Sequence, residues 1–371
     1  MMNLAKRGWH PQPIQGQPDA VLPGASSQKL VYFSCFFKIL IKRVCCFVVL
    51  LMFVFTPGSA ETDKESRFKG GKVDEIYERI RHSGPVYNWE ERIVTFENEG
   101  MTLVNTLVLP MTGEKCPVVL ILNGFGGDRK EVILPGTSEY FWERLSRILA
   151  EHGLSSLRID FRGSGDSDGE YDMTSFSTQI SDAQAALRCI RLRLRWLVDW
   201  RNIGILGFSQ GGLVAASTAA RDNRIDSVVL WSPVSSPPIV YEGLLGKEGL
   251  RQGLALPEGG SAIFPIYIND QYANWDVPLG KGFFDDLYRV DPVAEVHKNY
   301  SGPLLVVCGS QDPIIWPQPF MSNLYLLHHE GFEKLVVLDG DHAFNWWEEP
   351  EPVKLHDAMY WSAAWFLYTL D

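Results

Sequence analysis

The sequence predicts a doubly wound α/β domain on a mostly parallel sheet, and three observations carry that prediction. Unbroken Val, Ile and Leu runs recur from residue 118 onward, as expected of strands buried on both faces. Amphipathic stretches of helical length separate them, the alternation that βαβ units produce. The alternation breaks once, over residues 233–290, which are rich in Gly, Pro and aromatics and show no clean strand. An irregular insertion between two sheet strands is most simply a lid over a site.

Residues 92–96 and 102–109 read as two strands of a hairpin around the turn Glu97-Asn-Glu-Gly100. Strand 118–122, helix 140–152, strand 155–159, helix 179–197, strand 203–208, helix 212–220 and strand 225–230 follow. After the insertion come strand 304–308, helix 319–327, strand 335–338 and a last helix near 354–367. No linker-like gap interrupts residues 91–371, so they make one domain. Residues 61–90 form an N-terminal extension, either a tail or one helix.

The first 60 residues follow another pattern. Lys38, Lys42 and Arg43 precede the apolar run 44–55, and Thr56-Pro-Gly-Ser-Ala60 offers small residues to a signal peptidase. A run of 12 residues is well short of the roughly 20 that span a bilayer, which favours a cleaved export signal and a periplasmic or secreted protein. If the apolar patch 30–37 extends the segment, it stays as a membrane anchor, the one membrane contact this reading allows.

Six of the 34 basic side chains and one of the 45 acidic ones lie in residues 1–60, so the remainder carries 28 against 44, a net of −16. That balance excludes a nucleic-acid binder, because phosphate backbones need a cationic surface. Cys116, Cys189 and Cys308 follow the signal region, and buried free thiols suit their apolar settings better than a disulfide.

Gly207-Phe-Ser-Gln-Gly211 fits the G-x-S-x-G nucleophile elbow, with an apolar strand before it and a helix after it. Flanking glycines are needed where a tight strand-to-helix turn crowds its neighbours, and the helix N-terminus at Ser209 favours developing negative charge. A hydroxyl is a poor nucleophile at neutral pH and needs a base, which in turn needs a group to hold it. His342 follows strand 335–338 through the turn Asp339-Gly-Asp341, whereas His328, His329 and His356 belong to helical patterns. Asp312 follows strand 304–308 directly; its rival Asp341 better suits shaping the turn. The expected triad is Ser209, His342 and Asp312, acting through an acyl-enzyme with no cofactor and no metal.

The tetrahedral intermediate of such a reaction needs two backbone N–H donors. Gln210 supplies the first, and Phe125, in Asn123-Gly-Phe-Gly-Gly-Asp128 after strand 118–122, supplies the second. Asp160-Phe-Arg-Gly-Ser-Gly-Asp-Ser-Asp-Gly169 is read as a scaffold for the rim, since it lacks the Lys of a phosphate loop.

On these motifs, with Gly309-Ser-Gln-Asp312 and Gly340-Asp-His342, the chain from residue 91 onward resembles the feruloyl and cinnamoyl esterases. These lie within the broader α/β-hydrolases, which include acylglycerol lipases and serine aminopeptidases. The resemblance implies an α/β-hydrolase fold, the same triad and oxyanion donors, and a lid that shapes an aromatic acyl pocket. Two positions depart from the pattern: Asn123 stands where the oxyanion loop usually opens with His, and Phe208 stands where a His often precedes the nucleophile. The implied function is a carboxylic-ester hydrolase acting on a small-molecule ester. A serine peptidase or an acylglycerol lipase on the same machinery is the alternative, and a non-catalytic binding protein is a third reading. Trp316, Tyr272 and Trp346 are the expected substrate contacts, from a wider set of Tyr267, Asp270, Trp275 and Trp347. Such aromatics either stack on an aromatic acid or pack the lid to the body.

Overall fold

The computed structural model of the protein describes residues 70–370. The export signal expected over residues 1–60 and the start of the extension lie outside the described residues.

Helix α1 (Gly70–His82) leads into the hairpin β1 (Trp89–Asn98) and β2 (Met101–Pro110). Glu99 and Gly100 both sit at positive φ, 52° and 80°, so the connection is a two-residue turn, shorter than the four residues expected. Mirror-image turns of this kind match the right-handed twist of the strands they join.

The core then alternates: β3 (Pro117–Leu122), α2 (Phe141–Glu151), β4 (Ser155–Ile159), α3 (Phe176–Cys189), β5 (Asp199–Phe208), α4 (Gln210–Arg221) and β6 (Ser227–Trp231). After the inserted segment come α7 (Pro292–Asn299), β9 (Leu304–Gly309), α8 (Phe320–Asn323), β10 (Glu333–Leu338) and α9 (Val353–Thr369). Eight strands join in the order β1-β2-β4-β3-β5-β6-β9-β10. The β1–β2 and β2–β4 pairs are antiparallel and every later pair is parallel.

Both faces of the sheet are covered, as its continuous apolar strands require. Val118, Leu120 and Leu122 face one apolar cluster with α3 and α4, while Val119 and Ile121 face another with α2 and α9. Helix α1 belongs to the second layer, where Tyr77 stacks on Trp361 at 4.0 Å between ring centroids.

Three expectations need correction. Residues 233–290 are ordered secondary structure, not an irregular loop: helix α5 (Pro237–Leu254), a hairpin of β7 (Ser261–Ile268) and β8 (Gln271–Gly280), and the short α6 (Lys281–Asp286). Two prolines and the exposed side chains along this hairpin hide the period of two that a strand reading needs. The helix expected over 179–197 begins earlier, at Phe176, because Ser175 and Thr178 exchange cap hydrogen bonds of 3.2 and 2.8 Å. It then widens after Cys189 into a π segment, Ile190–Leu194. The helix expected over 319–327 shrinks to one turn, after which Leu324, Tyr325 and Leu326 form i→i+3 bonds. The cysteines agree with the sequence reading, since all three are buried and free.

Candidate active site

β3 stands between β4 and β5, so the chain leaves the sheet in opposite directions there. Such a switch point opens a crevice at the carboxyl ends of the strands. Two loops enter it, the one after β3 and the turn after β5.

Ser209 forms that turn at φ 55° and ψ −117°, a conformation an L-residue holds only at a cost of about 1–3 kcal/mol. Its surroundings impose it. The Ser209 N–H donates to Trp231 O at 2.8 Å, and its carbonyl accepts from Gly212, Leu213 and Val234 at 3.0–3.3 Å. A Cβ at residue 207 would meet Gly211 O at 2.0 Å, and one at residue 211 would meet Leu122 O and Asn123 O at 2.3 and 2.4 Å. The flanking glycines therefore let α4 start against the end of β3, which brings the two loops together. A Cβ on Gly124 would lie 3.4 Å from the Cβ of Ser209. Neither the Gln210 nor the Phe125 N–H donates to a protein acceptor among the described residues.

Asp312 follows β9 and is 1% exposed. One oxygen accepts from the Ile314 and Ile315 N–H groups at 2.8 and 2.9 Å, and the other meets His342 Nδ1 at 2.7 Å. Burial alone would raise this carboxyl, but the imidazole and the two N–H groups hold it below the ordinary carboxylate range. With Nδ1 turned to a carboxylate, the lone pair of the neutral imidazole resides on Nε2. The His342 ring lies 5.0 Å from the ring of Phe208, the residue before Ser209. No hydrogen bond joins Ser209 to His342 among the described residues; in unliganded sites such bonds are often long and tighten with substrate.

Asp341 occupies both oxygens locally: one accepts from the Ala343 and Asn345 N–H groups, the other from Trp347 Nε1 at 3.0 Å. It shapes the turn that carries His342. The other histidines lie elsewhere, His297 on Tyr325 O and His356 on Arg144.

The segment Asp160–Gly169 anchors the loop after β3. Asp160, fully buried, accepts from the Arg129 N–H at 2.7 Å and the Asp166 N–H at 2.8 Å and pairs with the Arg129 guanidinium. Gly126 donates its N–H to the Tyr171 hydroxyl at 2.8 Å.

The expected substrate contacts are dispersed. Trp316 is 71% exposed on the loop after β9. Tyr272, at the tip of the β7–β8 hairpin, donates to Asp276, and Trp346 packs on the apolar layer of α2 and α9. None of the three makes a ring contact with Phe125. Trp275 does, at 5.4 Å, with Tyr171, Tyr241 and Phe283 completing the group around the Phe125 ring at 5.5–6.1 Å. Gly126, at φ 77°, permits the approach: a Cβ there would fall 2.5 Å from Trp275 Cζ2.

A second feature invisible in sequence is a buried polar chain. Tyr241 of α5 donates to the Gln210 side-chain oxygen, and Gln210 Nε2 donates to Gln179 at 2.7 Å. It ties the insertion to the first residue of the elbow helix.

The family model described as alpha/beta hydrolase fold matches residues 117–259. The quorum-quenching protein AidA of Acinetobacter baumannii is 30% identical over 248 residues, 58% of this chain and 77% of that protein. An uncharacterized 31.7 kDa protein of the traX-finO intergenic region of Escherichia coli is 23% identical over 244 residues, 60% of this chain and 80% of its own. Among solved structures, Est1E from Butyrivibrio proteoclasticus with ferulic acid bound is similar in fold, with a TM-score of 0.55 and 22% identity over 72% of this chain and 96% of that one.

Proposed function

Since this chain belongs to the α/β-hydrolase family, we propose that it is a carboxylic-ester hydrolase with Ser209 as nucleophile, His342 as base and Asp312 as the group that orients the base. The observation that carries the reading is the buried 2.7 Å contact between His342 Nδ1 and Asp312, taken with a serine held at positive φ. In the first half-reaction the Ser209 oxygen adds to the ester carbonyl while Nε2 takes its proton. The alkoxide then leaves with that proton. In the second half-reaction Nε2 takes a proton from water, the hydroxide adds to the acyl-enzyme, and Ser209 departs protonated with release of the acid.

The N–H groups of Phe125 and Gln210 are proposed to hold the oxyanion, supported by their freedom from protein acceptors and by the closeness of Gly124 to Ser209. The insertion serves as a lid, with Trp275 and Phe125 as the wall against the acyl group. An aromatic acyl group of the hydroxycinnamoyl kind fits this wall, and the resemblance to a ferulic-acid-bound fold points the same way.

The test is Ser209→Ala, which should lower kcat for p-nitrophenyl esters on the order of 10⁶-fold and abolish labelling by a fluorophosphonate. Retained activity would overturn the assignment. Faster turnover of aminoacyl p-nitroanilides than of p-nitrophenyl esters would make the same machinery a peptidase.

A further inference from the structure

At the far edge of the sheet, where β3 and β5 begin, the surface changes character. The π segment and the turn after it carry Leu192, 67% exposed, and Trp196, 69% exposed. Five cations belong to this stretch and to the strands beside it. Lys115 and Arg195 lie over the Trp196 ring at 5.4 and 4.7 Å, and Arg201 lies over Trp200 at 4.7 Å. Arg193 donates to Thr95 O and Arg188 to Asn98 Oδ1. None of the five forms an ion pair with a carboxylate among the described residues. Beside them a depression of about 430 Å³ is lined by Arg188, Arg191, Arg221 and Arg224; Asp222 pairs with Arg191 and Arg224 and Glu295 with Arg221, which leaves Arg188 without an ion pair there among the described residues. The acids nearby are Glu114, which is exposed, Asp199, engaged with Asn202 and the Arg201 N–H, Asp226, held by the Ile203 N–H, and Glu99, paired with Arg162.

We propose that this face docks the protein on an anionic phospholipid surface, with Trp196 and Leu192 entering the interface and the arginines binding lipid phosphates. Two features together favour a lipid surface over a soluble anion. Surplus guanidinium groups alone would suit any phosphate, but an exposed Trp and Leu ringed by cations match the interface, where one end of the contact is apolar and the other wet. The chain after residue 60 is acidic overall, so attraction to an anionic surface has to come from a local cationic patch and not from the net charge. The π segment is the local cause: by widening the helix after Cys189 it turns Leu192 outward while Ile190 and Leu194 remain buried. β5 runs from this edge to Ser209, a span on the order of 30 Å. A docked molecule therefore keeps its carboxyl-edge crevice open to water.

The experiment is vesicle co-sedimentation of the full chain, comparing phosphatidylcholine alone with phosphatidylcholine containing phosphatidylglycerol, with soluble p-nitrophenyl ester hydrolysis as the check of folding. The expected result is binding to the anionic vesicles that 0.5 M salt weakens and that the double change Arg193→Glu, Arg195→Glu lowers at least tenfold, at about 1 kcal/mol per cation. Trp196→Ala should weaken it severalfold, and Arg251→Glu on α5 should not change it. Equal binding to both vesicle types, or binding of the double variant equal to wild type, would overturn the proposal and leave any attachment to the N-terminal apolar segment. Saturation of the wild type by inorganic phosphate with no vesicle binding would overturn it as well.

Discussion

Around Ser209 the chain is fixed by its backbone: a residue at positive φ, two glycines whose Cβ atoms would strike main-chain oxygens, and a carboxylate held by two N–H groups. The inserted segment reaches the same crevice with side chains instead, through the rings of Trp275, Tyr241 and Phe283 against Phe125 and one buried hydrogen-bond chain. Main-chain contacts have one geometry, whereas aromatic contacts tolerate several at about 0.5–1.5 kcal/mol each. The elbow should therefore govern the rate of bond making, and the insertion the choice of acyl group.

Asp312→Asn tests the elbow side most sharply. The amide oxygen can still accept from Ile314 and Ile315, so the fold should survive, but its NH₂ would face Nδ1 and impose the wrong tautomer on His342. A fall in kcat on the order of 10⁴-fold with little change in KM is expected. A drop of less than tenfold would show that the carboxylate is not what holds the base.

Gly211→Ala asks whether the backbone fit is as tight as it looks. The new methyl would lie 2.3 Å from Leu122 O with no flexible side chain to yield, so stability should fall by about 3 kcal/mol or more, roughly 10 °C in the melting temperature. A neutral result would mean that β3 and α4 can separate, and the contrast between the two regions would weaken.

Trp275→Ala addresses the other region. kcat/KM for a hydroxycinnamoyl ester should drop about tenfold while that for an acetyl ester stays within about threefold, as expected when an aromatic pair is lost. Equal losses on both esters would assign Trp275 to the chemistry rather than to selection.

A last prediction concerns Glu131, which sits at φ 66° within the segment between β3 and α2, with its carboxyl on Trp142 Nε1 at 3.2 Å. Burial, aided by the charge of Asp128, pushes it up to about 8. Folding thus favours its protonated form, so its contribution to stability is present in acid and is lost as the pH rises through about 8. Melting curves between pH 6 and 9 should show this decline for the wild type and a flatter profile for Glu131→Gln. Identical profiles would assign the pH dependence to another group.

The buried strands and the G-x-S-x-G turn were legible because each is a local pattern. A parallel strand covered on both faces must be apolar throughout, and a strand-to-helix turn this tight admits only glycine at Gly207 and Gly211. The loop positions of Asp312 and His342 could be read from the strands that precede them. The β7–β8 hairpin was not legible, since Pro265 and Pro278 interrupt its pattern.

The order of residues is enough to give the layered sheet, the strand ends from which residues 209, 312 and 342 project, and the acidic balance of the chain after residue 60. Folding in three dimensions was needed to show that Trp275 rather than Trp316, Tyr272 or Trp346 meets Phe125, that Tyr241 and Gln179 clasp Gln210, and that Arg129 closes on Asp160. The first set depends on the periodicity of the chain against water, which any window of sequence displays. The second joins residues tens to more than a hundred positions apart, and their meeting follows from how the layers pack.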